Sequence, residues 1–224
     1  MDIFKRIAAT LPDSWQHGLK RIYFARQIKK NKFLTDEPEF QILHELISTG
    51  DWVIDIGANV GHYTKRLSEL VGDKGRVIAV EPVPTTFSLL SSNIQLFNNQ
   101  NVSLLNVAIS NEINLVGMSI PKFSTGLINY YQAHLSPING SDFSVLAIPL
   151  DPLFLLQRIT LIKIDAEGHE PHVLEGLRGI IEKYKPVLIV ETGSKDLLND
   201  IGITGYKYEK LKESPNILFR PIVS

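Results

Sequence analysis

The stretch from Val53 to Gly61, with the sequence VIDIGANVG, decides the fold predicted for this chain. An apolar run ends at Gly57 and Gly61, and a helical pattern follows over 63–71. A glycine-rich turn between a strand and a helix lets the backbone approach a ligand closely, and it leaves the first N–H groups of the helix pointing at that ligand. The stretch therefore predicts a nucleotide-type site on an α/β fold.

The alternation of strand and helix continues along the chain, because short β-branched runs and helical patterns follow one another. The further predicted strands are 76–80, 102–107, 160–164 and 187–190, and the further predicted helices are 85–97, 172–183 and 194–200. Two runs near the end, 206–211 and 217–220, indicate an antiparallel hairpin. The pattern predicts a doubly wound, mostly parallel, seven-stranded sheet with a C-terminal antiparallel hairpin.

Two regions depart from this alternation. Helical spacing over 3–8, 15–28 and 38–48 predicts a helical N-terminal cap over residues 1–48, followed by one Rossmann-like domain over 49–224. Residues 112–150 lack a helical period and contain many small or turn-forming residues, so we expect a loop-and-hairpin insertion there. We expect specificity for the substrate to lie in the cap and in this insertion. Tyr130, Tyr131 and His134 are either residues that stack on a ring or sugar face or ordinary loop aromatics.

Composition excludes several classes of protein. The chain has 224 residues, 44% of them apolar, which argues against disorder, and it contains no cysteine, which rules out disulfides, thiolate metal sites and a cysteine nucleophile. The absence of a signal-like or membrane-spanning stretch predicts a cytoplasmic protein. The formal net charge is −1, but residues 1–33 hold eight Lys and Arg against two Asp. This basic arm is either a solvated helical face, or a rim that attracts an anionic substrate or touches a membrane.

The residue types at the glycine turn indicate which ligand it binds. A dinucleotide fingerprint would need glycine at 55, 57 and 60, but the chain has Asp55 and Val60. A carboxylate at that position would repel a pyrophosphate and would suit a ligand with cationic and hydroxyl groups, such as S-adenosylmethionine (SAM). Glu81 ends the second strand 20 residues beyond Gly61, where its oxygens can accept both ribose hydroxyls, and Pro82 turns the chain away.

Residues after the third strand are expected beside the adenine, where a small Ala108 leaves room for a flat ring. The alternative for Asn106 is a turn residue without a ligand role. The predicted cofactor-binding residues are Asp55, Gly57, Ala58, Asn59, Gly61, Tyr63, Glu81, Pro82, Asn106 and Ala108.

The reacting end is expected after the fourth strand, where ionisable groups follow its carboxyl end. Asp165, Glu167 and His169 are the predicted catalytic residues: Glu167 or His169 would take the proton of an acceptor hydroxyl, and Asp165, with Glu191 on the next strand, would orient it. Asp165 and Glu191 could also hold Mg²⁺, although we assign no metal ligands. A structural role is the default for two neighbours: Glu170 as an acid at a helix N-terminus and Lys163 in a salt bridge.

These motifs resemble those of the FkbM-type family of SAM-dependent methyltransferases. The resemblance covers about residues 45–195 and rests on six blocks, which are DIGANVG at 55–61, EPVP at 81–84, NI at 93–94, NVAISN at 106–111, IKIDAEGHE at 162–170 and VLIVE at 187–191. The chain departs from the family where it has PLD at 149–151 and Val83, which affects the substrate more than the cofactor. The resemblance implies the class I methyltransferase fold and O-methylation of sugars, polyketides or similar metabolites.

Four other functions are weaker alternatives. The position of the first glycine argues against a dehydrogenase, and the residues after the fourth strand do not form the proline-aromatic turn of base or amide N-methyltransferases. Nucleic acid is disfavoured by the net charge and by the lack of a basic–aromatic patch in the core. A non-catalytic carbohydrate-binding or assembly module that keeps the fold remains open. The leading prediction is a SAM-dependent O-methyltransferase acting on a small-molecule or glycan hydroxyl.

Overall fold

The computed structural model describes residues 12–121, 133–154 and 156–222. The helices in these ranges are α1 (Asp13–Lys29), α2 (Pro38–Leu46), α3 (His62–Val71), α4 (Pro84–Ile94), α5 (Asp151–Phe154), α6 (Glu170–Gly176), α7 (Arg178–Tyr184) and α8 (Leu197–Asp200). The strands are β1 (Trp52–Ile56), β2 (Arg76–Val80), β3 (Val102–Leu105), β4 (Ala108–Ile109), β5 (Asn114–Ser119), β6 (His134–Ser136), β7 (Phe143–Ile148), β8 (Ile159–Ile164), β9 (Val187–Glu191), β10 (Tyr206–Glu209) and β11 (Asn216–Pro221).

Seven strands form the main sheet in the order β10-β11-β9-β8-β1-β2-β3. β1 lies between β2 and β8 and runs parallel to both, whereas β11 is antiparallel to β9 and to β10. The predicted fold class, a mostly parallel α/β sheet with a C-terminal antiparallel hairpin, is therefore confirmed. Because Asp55 is level with Ala79 and Lys163, the carboxyl ends of three central strands meet at one edge of the sheet.

The two faces of the sheet bury separate apolar layers, which explains why its strands are apolar almost throughout. Ile54 and Ile162 pack with residues of α6 and α7 on one face, and Val53 and Leu161 pack with α2 and α3 on the other. Burying each such aliphatic side chain stabilises the fold by about 1.5–3 kcal/mol. The sheet edge above β1 is thus held by packing from both sides.

The insertion differs from the loop and hairpin that we predicted. β4, β7, β5 and β6 form a separate four-stranded sheet, in which β5 pairs antiparallel with β6 and β7 while β4 runs parallel to β7. Other boundaries also need correction. The third strand ends at Leu105 rather than at 107, and the predicted helix over 172–183 is two helices, because Leu177 leaves helical geometry between them.

The N-terminal part of the described chain packs directly onto this domain. Phe40, Leu43 and Ile47 of the α2 region belong to the core under the sheet, and α1 packs against α4. The predicted helix over 3–8 and the side chains of Tyr130 and Tyr131 lie outside the described residues, and the domain boundary at residue 48 stays a prediction. Among the described helices, none combines the length and apolar character that crossing a membrane requires.

Candidate active site

The turn after β1 is held against the neighbouring strands. The N–H groups of Gly57 and Ala58 both donate to the carbonyl oxygen of Val80, and the N–H of Asp165 donates to the carbonyl of Ile56. Gly57 has φ +73°, and a Cβ there would lie 2.0 Å from the carbonyl oxygen of Asp165. Both the left-handed backbone and this close approach require glycine. The turn therefore brings β8 and its acidic end next to the β1 loop.

Glu81 is buried at the end of β2 and accepts two backbone hydrogen bonds. The N–H of Asn59 donates to one carboxylate oxygen and the N–H of Val83 to the other, both at 2.9 Å. Burial raises the pKa of Glu81 to about 7. Asn106 does not line the cavity beside Glu81; its side-chain amide donates to the backbone carbonyls of Glu81 and Pro82 and so fixes this turn.

A cavity, here called the strand-end cavity, opens over the carboxyl ends of β1, β2 and β8. It is lined by the predicted cofactor residues Gly57, Asn59, Glu81, Pro82 and Ala108, by the predicted catalytic residues Asp165, Glu167 and His169, and by Met118, His134 and Leu135 of the second sheet. The structure thus brings the two predicted groups together in one cavity. The second sheet supplies an apolar wall that the sequence analysis did not foresee.

A second cavity, of about 380 Å³ and here called the α2-side cavity, adjoins the first. It is lined by the segment from Leu34 to Glu37 and by Asp55, Ala58, His62, Tyr63 and Lys163. It shares Gly57, Asn59 and Asp165 with the strand-end cavity, so the two cavities adjoin at the end of β1 and are here together called the groove. Gly61 does not line either cavity; with φ +100° it begins α3.

Glu37 is a site residue that the sequence analysis missed. The Tyr63 hydroxyl donates to Glu37 at 2.5 Å, and the Phe33 ring stacks on His62 with the ring centroids 4.0 Å apart. These contacts fix the segment before α2 as a wall of the α2-side cavity. A glutamate followed by a proline at the start of a helix is not a pattern that indicates ligand binding. The position of Glu37 in the α2-side cavity is therefore visible only in the folded structure.

Asp55 is fully buried at the floor of the α2-side cavity. The Thr64 hydroxyl donates to Oδ2 at 2.6 Å, whereas Oδ1 has no hydrogen-bond partner among the described residues. Burial raises the pKa of this carboxyl group. A buried oxygen without a donor is costly, so it favours a ligand that brings an N–H or a cation to it.

Lys163 forms the expected salt bridge with Asp165, a residue that lines both the strand-end cavity and the α2-side cavity. Its Nζ lies 3.1 Å from Asp165 and 4.8 Å from the ring centroid of Tyr63. Burial opposes the charge on Lys163, but Asp165 and Asp55 outweigh it and raise the pKa of the ammonium group. Despite its burial, Asp165 has a lowered pKa because of Lys163, so both side chains stay charged at neutral pH.

Glu191, at the end of β9, lies close enough to Asp165 for the two carboxyl groups to influence each other. Partial burial and the neighbouring Asp165 raise the pKa of Glu191 to about 8. The pair therefore carries one proton near neutral pH, with Glu191 donating it to Asp165. Within the three described ranges no cluster of three or more His, Asp or Glu could hold a metal ion, so this pair finds no third protein ligand there.

The loop after β8 presents Glu167 at the rim of the groove. Glu167 and Gly168 both have left-handed backbones, with φ of +49° and +95°. Glu170 stabilises this turn, because its buried carboxylate accepts hydrogen bonds from the N–H groups of Ala166 and Gly168. Glu170 is thus a structural acid at the start of α6. Partial burial, with the nearby charges of Asp165 and Glu170, raises the pKa of Glu167.

His169 is oriented by two neighbours. Its Nε2 lies 3.0 Å from the Ser110 hydroxyl, and its ring stacks on His172 with the centroids 4.5 Å apart. Burial, together with His172, lowers the pKa of His169, so its ring is neutral at physiological pH. At the end of α6, a Cβ on Gly176 would lie 2.1 Å from the Ser110 carbonyl oxygen, so this glycine allows the helix to approach Ser110.

The parallel sheet, the glycine turn after β1 and the buried acid after β2 define a class I methyltransferase. Similar solved structures include the methyltransferase FkbM from Methylobacillus flagellatus KT, with a TM-score of 0.55, 17% identity, and coverage of 89% of this chain and 58% of that one. A SAM-dependent methyltransferase from Aquifex aeolicus gives a TM-score of 0.52 at 18% identity, covering 89% and 98%. At such identities the likeness shows the fold. No curated protein matches the chain in sequence.

The family described as the methyltransferase FkbM domain matches residues 55–201. This match covers more than half of the chain, which therefore belongs to the FkbM family of SAM-dependent methyltransferases. The family predicted from the sequence blocks is confirmed, whereas the chain spans 58% of the length of the Methylobacillus protein.

The described residues fit the cofactor of this family. Glu81 presents a carboxylate to the strand-end cavity, Ala108 and Met118 leave an apolar gap for a flat ring, and Asp55 keeps an unpaired buried oxygen in the adjoining α2-side cavity. The two cavities thus offer an apolar pocket, a carboxylate that can accept from hydroxyls, and an acceptor for a cation. These are the groups that the ribose, the adenine and the amino end of SAM require.

Proposed function

We propose that this protein transfers a methyl group from SAM to a hydroxyl of a small-molecule or glycan acceptor. The observation that supports this most directly is the position of Glu167, which lines both the strand-end cavity and a third pocket. This third pocket, here called the Glu191 pocket, is lined by Glu167, Gly168, Glu170, Glu191, Thr192, Gly193 and Pro215. Glu167 therefore lies between the cofactor groove and a surface that is rich in hydrogen-bond acceptors.

On the cofactor side, we assign Glu81 to the ribose, Ala108 and Met118 to the adenine, and Asp55 to the amino group. SAM would supply a methyl group on a positively charged sulfur, and the acceptor oxygen would displace that sulfur from the methyl carbon in line. The chain's own residues then mainly bind and orient the reactants, and positioning of this kind accounts for much of the rate enhancement. Tyr63 and Glu37 close the far end of the groove.

On the acceptor side, the hydroxyl must lose a proton as its oxygen bonds to the methyl carbon. We assign this proton transfer to Glu167, since its raised pKa keeps it basic and its exposed side chain lies at the junction of the two pockets. Asp165, held ionised by Lys163, and the protonated Glu191 would orient the hydroxyl. His169, neutral and held by Ser110, is a second candidate base.

The test is methyl transfer from labelled SAM to a panel of glycans and hydroxylated metabolites, with and without a chelator. We expect an acceptor hydroxyl to be methylated in both conditions. Glu167→Gln should lower turnover by about 10²-fold or more, since loss of a general base has this effect, and His169→Ala should also lower turnover. Both should leave SAM affinity nearly unchanged, and Glu112→Gln, an exposed carboxylate outside these pockets, is the matched control.

Full turnover in both variants would contradict the assigned base. SAM binding without transfer to any acceptor would favour the alternative, a non-catalytic carbohydrate-binding or assembly module. Methylation of nitrogen rather than oxygen in the product would refute the proposed acceptor while leaving the family unchanged. The cytoplasmic location stays a prediction.

A further inference from the structure

Helix α1 exposes an apolar stripe on the side that faces away from the domain. Trp15, Leu19 and Ile22 follow one line along the helix, and Tyr23 lies beside them. Their side chains are 67%, 50%, 51% and 57% exposed, respectively. Single exposed apolar residues are common, but four neighbouring ones on one helical face indicate a surface that contacts something.

The same helix continues into a cluster of positive charge. Arg26, Lys29 and Lys30 are exposed, and they extend the stripe toward the C-terminus of the helix. Residues 14–32 contain six Lys and Arg and no Asp or Glu, whereas the remaining residues of the chain carry an excess of acid, since the net charge is −1. The exposed face of α1 is therefore apolar and aromatic at one end and strongly basic at the other.

The opposite face of α1 is firmly packed, which shows that the stripe is not simply the surface of a loose helix. Phe24 and Ile28 are buried in a cluster with Phe33, Leu89 and Phe97. The His17 ring also contacts the carbonyl oxygen of Thr85 at 3.2 Å. The fold thus holds the apolar and basic face outward in a fixed orientation.

We propose that this face of α1 binds an anionic lipid bilayer, lying in the interface without crossing it. Lysine and arginine are attracted to anionic headgroups, and tryptophan and tyrosine favour the boundary between headgroups and acyl chains. A second copy of the chain is a poorer partner, because parallel pairing of two such faces would bring the cations together and antiparallel pairing would place the cations of each helix on the apolar side chains of the other. A nucleic acid would match the charge, but it offers no apolar phase for Leu19 and Ile22.

The experiment is vesicle flotation of the whole protein with phosphatidylcholine alone and with phosphatidylcholine mixed with phosphatidylglycerol, at low and high salt. We expect binding only to the anionic vesicles, and weaker binding at high salt. Neutralising three cations together, in Arg26→Gln/Lys29→Gln/Lys30→Gln, should weaken binding by about a hundredfold, and Trp15→Ser/Leu19→Ser should weaken it by at least about tenfold.

Matched controls lie elsewhere on the surface. Ile113→Ser removes an apolar side chain that is 75% exposed, and Lys207→Gln/Lys210→Gln removes two exposed charges. The controls should bind vesicles as the parent does, and all variants should keep the SAM affinity of the parent, which verifies their folding.

Four results would overturn the proposal. These are equal binding to neutral and anionic vesicles, no vesicle binding, equal losses in the control variants, and a dimer in solution that Trp15→Ser/Leu19→Ser dissociates. Binding to an oligonucleotide, with the same dependence on the three cations and in preference to vesicles, would identify a nucleic-acid surface instead. None of these results depends on finding the methyl acceptor.

Discussion

Gly57 and Gly168 both have left-handed backbones at the same edge of the sheet, yet their surroundings are opposite. A Cβ on Gly57 would lie 2.0 Å from a backbone oxygen of the neighbouring strand end, whereas one on Gly168 would meet nothing within 4 Å. The loop after β1 is thus determined by packing between strands, and the loop after β8 by its own hydrogen bonds to Glu170. The loop after β1, in the cofactor half of the site, is therefore tightly packed, whereas the loop after β8, in the acceptor half beside the Glu191 pocket, has open space around Gly168.

The largest effect is expected from Lys163, the buried cation of the packed half. Lys163→Met leaves Asp165 and Asp55 without their counter-charge and should lower the free energy of unfolding by about 3–5 kcal/mol in urea denaturation at pH 7. Asp165 has a lowered pKa in the fold, so the stability that it contributes is lost as the pH falls through that pKa. The gap between variant and parent should therefore shrink in acid; a constant gap would contradict this account.

Gly57→Ala should come next, since it forces a Cβ onto the carbonyl oxygen of Asp165 at a left-handed φ. We expect a loss of about 3 kcal/mol in unfolding free energy and a fall of more than about a hundredfold in SAM affinity. Gly193→Ala is the matched control, because it lies on the same edge with open space around it. If the two variants were equally stable, the contrast between the packed and open loops would be lost.

Glu81 tests the cofactor half by chemistry rather than packing. Glu81→Ala should weaken SAM binding by more than about tenfold, measured by calorimetry, because the ribose loses a charged acceptor. Since the pKa of Glu81 is about 7, SAM affinity should rise from pH 6 to pH 8 as the carboxylate ionises. Glu81→Gln should remove this part of the pH dependence. The same affinity in all three proteins would disprove the assignment.

The effect on stability has the opposite sign. The pKa of Glu81 is raised in the fold, so this group contributes most to stability below its usual value of 4.5. That contribution declines as the pH rises toward 7, where ionisation within the buried site becomes costly. The free energies of unfolding of the parent and of Glu81→Gln should therefore be similar in acid, and Glu81→Gln should be the more stable of the two near neutral pH.

Gly168→Ala should have the smallest effect. The added Cβ meets no atom, so only the left-handed backbone opposes it, at about 1 kcal/mol. SAM affinity should not change, and any loss should appear in turnover through the position of Glu167. A loss of SAM affinity as large as that of Gly57→Ala would show that the cofactor half of the site depends on the loop after β8.

The sequence predicted the parts of this molecule that short-range chemistry determines. The positions of the main-sheet strands along the chain followed from apolar runs. Asp55, Glu81 and Asp165 were expected at one edge of the sheet, and they lie there because parallel strands bring their carboxyl ends together. Lys163 and Glu170 also have the structural roles expected of a buried cation and a helix-start acid.

What the sequence did not predict depends on contacts between distant segments. β4 has only two residues and β5 begins with two exposed positions, so neither gives a clear strand period, and the second sheet was missed. Glu37 lies in the α2-side cavity, where the hydroxyl of Tyr63, 26 residues further along the chain, donates to it. The side-chain amide of Asn106 holds the backbone after Glu81, which is the turn role given as the alternative for this residue, and its role in binding the cofactor stays a prediction.

The close approach of α6 to Ser110 leaves no room for a side chain at position 176, and Ser110 in turn holds the candidate base His169. Gly176 contributes no reacting group, yet any larger residue there would push against the strand end that carries the serine holding His169. Natural variation at position 176 should therefore be as narrow as at a residue that touches substrate, and an engineer who wished to retune the basicity of His169 without altering the groove could begin at this remote glycine.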